Sequence, residues 1–390
     1  MRTFVRNIRT IVNVLKPGEK VKFDEMDKIE IITSGSGSTL AILTQDGDIV
    51  DFGEEECILR KKKESDNVID CRGGCVIPGF VDAHTHPVWA GDRLHEFTLR
   101  VRKNKGTTTM ECKTGYGLQW PAEEKLLRVL NKAKAQLPID MSITFLAAHS
   151  IPKGTNANQF TECIINEQIP NLRELMIRGD VQVDNIDVIC EKGVFDLNQS
   201  QRILEAGQNI GLNVNFHADE SSPLGGAELA GRLKARAASH LEEASPAGVA
   251  AMAASGTAAV LLPTTAHLLR LRPPPARAIL QAGVPVALGT DFNPNVFCLS
   301  MPVVMYLACT MLTMTPDEAL VASTINAAYS LNMSDRVGAI TVGRQADLVV
   351  LDCDRWENII YQLGEADELI THVIKKGQLI FSKTDGFIGI

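Results

Sequence analysis

The chain contains 390 residues, enough to bury a full-size core either as one large α/β domain with a small appendage or as two domains. Its composition is that of a globular protein, with 45% hydrophobic and 22% charged residues. The formal net charge of −8 argues against general nucleic-acid binding, which favours a basic surface. No stretch reads as membrane-spanning, because the longest uncharged run, residues 244–269, is interrupted by Pro246, Gly256 and Pro263.

The N-terminal part of the chain, residues 1–75, reads as short strands joined by turns. The dipeptide Asp46-Gly47 is a strong hairpin signal between two of these strands. The first residues are basic and lack acidic side chains up to Glu19, which leaves a targeting role open. A first strand over residues 10–15 is favoured, because the apolar residues there do not follow helical spacing.

The middle of the chain, residues 76–338, alternates short apolar strands with segments of helical character. A helix is predicted over 121–137, where Pro121 takes the first position and Glu123 lies in the first turn. The strand candidates are residues 75–82, 107–112, 142–147, 185–190, 213–217, 237–240, 258–262 and 284–289. Eight strands alternating with helices predict a (β/α)8 TIM-like barrel, in which catalytic residues gather at the C-terminal ends of the strands.

One connection is too short for this barrel. Only residues 87–106 separate the first strand from the second, and part of them forms the loop that leaves His86. The remainder, residues 97–106, is too short and too basic for a normal crossover helix. The barrel is therefore expected to be incomplete after its first strand.

The C-terminal part, residues 339–390, returns to the character of the N-terminal part. Strands are predicted at residues 346–351 and 373–380, and Lys376-Gly377 joins the last pair as a hairpin. We expect both chain ends to form one small β domain, a β-sandwich, beside the central barrel.

Polar residues capable of binding a metal ion follow the predicted barrel strands. In a strand, side chains at i and i+2 point to the same face, so the pair His84 and His86 offers two imidazoles to a single point. Other strand ends carry His149, His217, His240 and Asp291, so five of the chain's eight histidines fall on one predicted face. His95, His267 and His372 are expected to be surface or packing residues.

The combination of His84, His86, His217 and Asp291 predicts a metal site with three nitrogen ligands and one oxygen ligand. Such a set suits one divalent or trivalent ion, Zn or Fe, and leaves room for water that the ion activates. Glu220 lies three residues beyond a ligand and is the expected proton shuttle. His240 is expected to stabilise a developing oxyanion, with a structural hydrogen bond to a ligand as the alternative.

The nine cysteines are scattered along the chain. Beside these histidines they read as reduced thiols of a cytoplasmic protein. Cys71 and Cys75 are expected to be buried, because no second Cys/His pair has the spacing that a zinc site needs.

The strand-end pattern resembles the metal-dependent amidohydrolase superfamily. Further motifs resemble the imidazolonepropionase family in particular, and this resemblance covers nearly the whole chain. They are Pro78-Gly-Phe-Val-Asp-Ala-His-Thr-His86, Lys113-Thr-Gly-Tyr-Gly-Leu118, Ala148-His-Ser-Ile-Pro152, Glu191-Lys-Gly-Val-Phe195, His217-Ala-Asp-Glu220, Gly225-Gly-Ala-Glu-Leu-Ala230, Pro263-Thr-Thr265 and Thr290-Asp-Phe-Asn-Pro294.

This resemblance implies hydrolytic opening of 4-imidazolone-5-propanoate to N-formimidoyl-L-glutamate in histidine degradation. It places the metal on the four ligands named above. It places substrate or product contacts on Arg93, Tyr116, His149, Glu220, Asn293 and Asn295. Position 295 is Asn where the family often has Gly, so a contact there is expected through the backbone. The family also carries a longer segment between residues 97 and 106.

Two other functions stay open from the sequence. A deaminase of the same superfamily, acting on a nucleobase-like ring, fits the His217-x-x-Glu220 motif equally well. An inactive scaffold is the second alternative, because the short segment 97–106 removes part of the barrel. The expected partner is a small-molecule substrate, with no nucleic acid and no membrane, and a homodimer is left open.

Overall fold

The computed structural model describes residues 1–16, 18–89 and 105–388. Strands and helices are numbered here in chain order. The N-terminal strands are β1 (Arg2–Asn13), β2 (Glu30–Thr33), β3 (Leu40–Gln45), β4 (Asp48–Glu54) and β5 (Asn67–Pro78). The central strands are β6 (Phe80–Asp82), β7 (Thr107–Lys113), β8 (Asp140–Ala148), β9 (Asn185–Cys190), β10 (Asn213–Ala218), β11 (Ala237–His240), β12 (Ala258–Leu261) and β13 (Val286–Leu288). The C-terminal strands are β14 (Leu348–Leu351), β15 (Ile370–Lys375), β16 (Gln378–Ser382) and β17 (Gly386–Phe387).

The described helices lie mostly between the central strands or after them. They are α1 (Glu55–Leu59), α2 (Trp120–Gln136), α3 (Ala157–Cys163), α4 (Ile169–Ile177), α5 (Leu197–Asn209), α6 (Gly226–Leu233), α7 (Pro246–Ser255), α8 (Pro263–Leu269), α9 (Ala276–Gln281), α10 (Met301–Met311), α11 (Pro316–Ala322), α12 (Ile325–Ser330), α13 (Asn358–Tyr361) and α14 (Ala366–Leu369). A π-helical turn, Ile164–Gln168, joins α3 to α4. None of the helices in the described part of the chain combines the length and apolar character that crossing a bilayer requires.

The eight central strands form a nearly closed parallel barrel in the order β6 to β13. Each strand pairs in parallel with the next one along the chain. The first and last strands, β6 and β13, are not joined by a regular ladder. They meet where Ala83 donates its N–H to the Leu288 carbonyl at 3.3 Å. Asp82 strengthens this seam by accepting the N–H of Thr290 at 2.9 Å. The predicted TIM-like barrel is confirmed.

Strands from both chain ends form a second, mixed sheet of nine strands. Its order is β17-β16-β15-β14-β5-β1-β3-β4, and β2 adds to β1. Strand β5 joins the two ends, because it runs parallel to β1 and antiparallel to β14. The predicted turns at Asp46-Gly47 and Lys376-Gly377 connect β3 to β4 and β15 to β16. The expected union of the two chain ends in one β unit is therefore observed.

The first barrel strand differs from its predicted bounds. The sequence suggested one strand over residues 75–82, whereas the structure divides this run between β5 and β6 at Gly79. Pro78 has no N–H to continue the ladder. A Cβ at Gly79 would lie 2.6 Å from Cγ2 of Thr108, so only glycine allows β6 to leave the mixed sheet here.

Two helices show why the sequence folds as predicted between the strands. Helix α2 begins with a proline in its first turn and buries Leu127, Leu130 and Ala133 at helical spacing. Helix α11 opens with a capping box between Thr315 and Glu318. The connection after β6 passes through residues 90–104, outside the described residues, so the expected incompleteness around 97–106 stays a prediction.

A buried ion cluster attaches the barrel to the mixed sheet. Lys375 of β15 places its Nζ 2.7 Å from the carboxylates of both Asp140 and Asp347. Asp140 begins β8, so the cluster lies at the end of the barrel opposite to the histidines. Burial alone would raise the pKa of Asp140, but Lys375 and its neighbours hold it well below its ordinary value.

Candidate active site

The C-terminal ends of the barrel strands bring the predicted site residues together. His84 and His86 follow β6, His149 follows β8, His217 lies in β10, and His240 ends β11. Asp291 follows β13 and completes the ring. The side chains of these residues converge because all eight strands run in the same direction around the barrel.

Three of the histidines form a compact group of nitrogen donors. Ligand atoms of His84, His86 and His217 all lie within 4.8 Å of one another. The Nε2 atoms of His84 and His86 are 3.2 Å apart, and Oδ1 of Asp291 lies 3.5 Å from each. Donors of a tetrahedral zinc site, with bonds of 2.0–2.1 Å, are separated by about 3.3 Å. The donor set therefore fits a metal ion.

The unpaired atoms of these candidate ligands point to the same conclusion. Among the described residues, Oδ1 of Asp291 is buried and has no hydrogen-bond partner. The other carboxylate oxygen of Asp291 accepts a short hydrogen bond from the Thr265 hydroxyl, which fixes its orientation. Burial lowers the pKa of His84 and His86 well below the ordinary value, so both rings stay neutral and keep a lone pair. A cation between these atoms would satisfy them all.

His217 is oriented by a buried carboxylate. Oδ1 of Asp187 lies 3.0 Å from Nδ1 of His217 and accepts its backbone N–H, also at 3.0 Å. Because Nδ1 is occupied, Nε2 of His217 is the nitrogen left for a metal. Burial alone would raise the pKa of Asp187, but His217 and Lys113 lower it to about 2. Asp187 is thus an anion that holds one ligand in place.

His240 lies between two glutamates at the edge of this group. Its Nδ1 is 3.9 Å from Oε1 of Glu220 and 3.7 Å from Oε2 of Glu242. Burial opposes the charged form, but Glu220 and Glu242 raise the pKa of His240 to about 10. The ring centroid of His240 lies 5.1 Å from that of His217, so His240 adjoins the group of three histidines.

The loop that carries Glu220 is held from both sides. Asp219 accepts three backbone N–H groups at the start of α6, at 2.8–2.9 Å. On the other side Glu191 accepts the N–H of Ser221 at 3.0 Å and a short hydrogen bond from the Ser222 hydroxyl. Glu220 itself is partly exposed and faces the cavity.

The cavity above the ligands has a volume of about 400 Å³ and is open to solvent. Tyr116 and His149 form one wall, with ring centroids 4.6 Å apart, and His86 lies 5.9 Å from His149. Burial lowers the pKa of His149 to about 4, so this ring is neutral at physiological pH. Glu220 and His240 line the same space.

Asn293 and Asn295 lie in the loop that closes the cavity after β13. The side chain of Asn293 accepts the N–H groups of Asn295 and Val296, at 2.8 and 3.0 Å, and donates to the Asp291 carbonyl at 2.7 Å. Asn293 therefore builds the loop around the carboxylate ligand. The N–H of Asn295 is used within the loop, so the backbone group that Asn295 can still offer a ligand is its carbonyl.

The remaining predicted residues fall outside this cluster. Arg93 and His95 lie outside the described residues. His267 is exposed on α8, and His372 is half-buried on β15. Cys71 and Cys75 are buried, as expected.

Sequence reasoning did not identify the buried charged residues beneath the ligands. Glu111, Lys113 and Asp187 lie within β7 and β9, in strands that are buried along almost their whole length. Charged residues at alternate positions of a buried barrel strand were the available signal, because alternate side chains face the barrel interior. Thr265 and Glu242 gave no comparable signal.

A parallel barrel with three histidines and an aspartate at its strand ends defines the class of metal-dependent barrel hydrolases. A model of the amidohydrolase family matches residues 75–380. A zebrafish (Danio rerio) protein named "Probable imidazolonepropionase" is 45% identical over 423 residues, covering 97% of each chain. A human protein of the same name is 44% identical, over 97% of this chain and 98% of its own. The chain therefore belongs to the amidohydrolase family and, within it, to the imidazolonepropionases.

Solved structures share the fold at much lower identity. Guanine deaminase from E. coli superposes with a TM-score of 0.74 at 16% identity, over 98% of this chain and 99% of its own. An adenosine deaminase from Xanthomonas campestris gives 0.73 at 17% identity, over 100% of this chain and 94% of its own. The zebrafish alignment, at 423 residues, is longer than this chain of 390, so that relative contains segments that are missing here.

Proposed function

We propose that this chain hydrolyses 4-imidazolone-5-propanoate to N-formimidoyl-L-glutamate, with water activated by one metal ion. The support from relatives is identity of 44–46% to proteins named for this activity. The observation that carries the mechanism is the convergence of His84, His86, His217 and Asp291 on one point.

These four residues would hold the ion, and their three imidazole nitrogens and one carboxylate oxygen suit either Zn or Fe. A bound metal ion lowers the pKa of water and thereby supplies a nucleophile near neutral pH. Asp187 keeps Nε2 of His217 aimed at that position, and Thr265 does the same for the Asp291 carboxylate. The ligand geometry is thus set before the substrate binds.

Ring opening requires a proton at the nitrogen that leaves the attacked carbon. Glu220 is the group that we assign to this transfer, because it reaches into the cavity and is held by a loop fixed on both sides. His240, buried beside the ligands, would donate a hydrogen bond to the oxygen that becomes negative.

The substrate carries a propionate and a planar ring. We propose that Tyr116 and His149 bind it on one wall of the cavity, and that the loop of Asn293 and Asn295 encloses the opposite side. Arg93 is proposed to bind the propionate, on the resemblance alone, because guanidinium groups bind carboxylates in bidentate fashion.

A deaminase is the second candidate, since the solved neighbours include guanine and adenosine deaminases. Those structures are only 16–17% identical and support the fold alone. The relatives at 44–46% identity favour ring opening.

We further propose that the protein acts in the cytoplasm on a small molecule, without nucleic acid or membrane partners, and as a homodimer.

The test is direct measurement of turnover and metal content. Metal-loaded protein should consume 4-imidazolone-5-propanoate and form N-formimidoyl-L-glutamate, detected by mass spectrometry. His217→Ala should lose both the bound metal and turnover, whereas His267→Ala, changed at an exposed position, should keep both. Turnover by His217→Ala at the wild-type rate would refute the proposal, and a wild-type protein with no bound metal would favour an inactive scaffold.

A further inference from the structure

Lys113 is a fully buried lysine directly beneath the candidate metal site. Its Nζ lies 2.7 Å from Oε1 of Glu111 and 2.8 Å from Oδ2 of Asp187. All three side chains are completely buried. Burying an ammonium group is unfavourable unless anions compensate it, and a charged group in this position calls for a specific role.

One arm of this ion cluster reaches a histidine ligand. The Asp187 carboxylate that binds Lys113 through Oδ2 holds His217 through Oδ1, at both its ring Nδ1 and its backbone N–H. Lys113 on β7 is therefore connected to β10 through a single carboxylate on β9. A shift of Lys113 would be passed to the His217 ring without intervening solvent.

The other arm reaches the histidine pair. Oε2 of Glu111 accepts the N–H of Thr85 at 3.2 Å, and the Thr85 hydroxyl donates to the Glu111 carbonyl at 2.5 Å. The backbone N–H of Lys113 donates in turn to the Thr85 carbonyl at 3.0 Å. Thr85 is the residue between His84 and His86, so this arm fixes the backbone from which both imidazole side chains project.

We propose that Lys113 is a positioning residue that joins the two halves of the ligand set and thereby determines metal affinity. This inference rests on the metal site of the proposed function. Without Lys113, the carboxylates of Glu111 and Asp187 would repel each other across the barrel. The histidines that these two carboxylates hold in place would then no longer converge on one point. With Lys113, the three histidines are held before the metal arrives, which lowers the ordering cost of binding.

The test is metal affinity in a charge-balanced variant. The double variant Lys113→Met/Glu111→Gln removes one positive and one negative charge, so the net charge of the buried cluster is unchanged. Metal-free protein is titrated with Zn²⁺ against a competing chelator, and with Co²⁺ while its visible absorption reports the coordination geometry. We expect Zn²⁺ binding to weaken about 10–100-fold and the Co²⁺ bands to change.

A second buried lysine provides a matched control. Lys375 also lies between two carboxylates, but at the opposite end of the barrel. The variant Lys375→Met/Asp347→Asn removes the same charges there and should bind Zn²⁺ and Co²⁺ as the wild type does. Asp187→Asn, of equal volume, is the second route should the first variant fail to fold, and it should weaken Zn²⁺ binding similarly.

The outcomes separate the two proposals. Zn²⁺ affinity within about twofold of wild type in a folded Lys113 variant, or in Asp187→Asn, would overturn the role of Lys113, since the loss expected is about 10–100-fold. An equal loss in the Lys375 control would overturn it as well, because the effect would then be one of general stability. A wild-type protein that binds metal but leaves imidazolone propionate intact would refute the proposed reaction while the affinity ratios still decide the role of Lys113.

Discussion

Asp219 anchors the loop of the proposed proton shuttle, and its replacement should affect both stability and rate. Its side chain accepts the N–H groups of Gly225, Gly226 and Ala227, at 2.9, 2.9 and 2.8 Å. Its backbone has a φ of +50°, a conformation that aspartate tolerates better than alanine. Glu220 follows immediately in the chain.

The expected size of the effect can be worked from these contacts. Asp219→Ala removes the acceptor for the helix start, which costs about 0.5–2 kcal/mol. Alanine in the left-handed conformation adds about 1–2 kcal/mol, so the free energy of unfolding should fall by about 1.5–4 kcal/mol. Since a catalytic group displaced by about 1 Å loses about 100-fold in rate, we expect kcat to fall about 10–100-fold.

Urea denaturation and steady-state kinetics of the same preparation measure both quantities. Asp219→Asn is the matched control, because asparagine keeps one acceptor oxygen and tolerates the left-handed backbone; it should lose less than half of the stability lost by alanine. An Asp219→Ala variant within about 0.5 kcal/mol of wild type, the range of ordinary surface changes, would show that these hydrogen bonds do not anchor the loop.

Three further predictions concern other parts of the molecule. Gly207→Ala should lower the free energy of unfolding by about 1–3 kcal/mol, because a Cβ there would lie 2.6 Å from Cγ2 of the buried Ile186 in β9; equal stability in urea would contradict this contact. Asp140→Asn should cost about 1–3 kcal/mol at pH 7. Burial alone would raise the Asp140 pKa, but Lys375 lowers it below its ordinary value. The stability cost of Asp140→Asn should therefore shrink below about pH 4, as measured by urea denaturation at several pH values. A difference in stability that does not depend on pH would count against the ion cluster. Glu242→Gln should reduce kcat about 10–100-fold without changing KM, because its carboxylate lies 3.7 Å from His240; an unchanged kcat would remove Glu242 from the site.

Much of the fold could be predicted from the sequence because most barrel strands are short, largely apolar runs followed by a helical segment. The exception was the beginning of the barrel, where the run over residues 75–81 is apolar throughout. Hydrophobicity could not show that Pro78 ends one sheet and Phe80 starts another. That division depends on the close contact between Gly79 and Thr108, which are far apart in the sequence.

The convergence of the proposed metal ligands was predictable for a related reason. His84 and His86 share a strand face by their spacing alone, and the other ligands follow strand ends that parallel barrels gather at one opening. Glu111, Lys113 and Asp187 depend instead on which residues of neighbouring strands lie side by side. Inter-strand register is set by pairing between strands far apart in the chain, and a single sequence does not state it.

Backbone conformation at the strand ends was least predictable, and it coincides with the candidate catalytic groups. His240 and Leu241 have φ values of +77° and +68°, and Asp291 has +49°, although residues other than glycine rarely adopt this region and leucine disfavours it. Leu241 is completely buried and donates its N–H to the Ala218 carbonyl at 3.1 Å, so tertiary contacts hold the strained turn. The turn directs His240 back toward His217 rather than outward along the loop. Local preference therefore fails at the positions where the barrel places its candidate catalytic side chains, as expected where geometry at a site outweighs propensity.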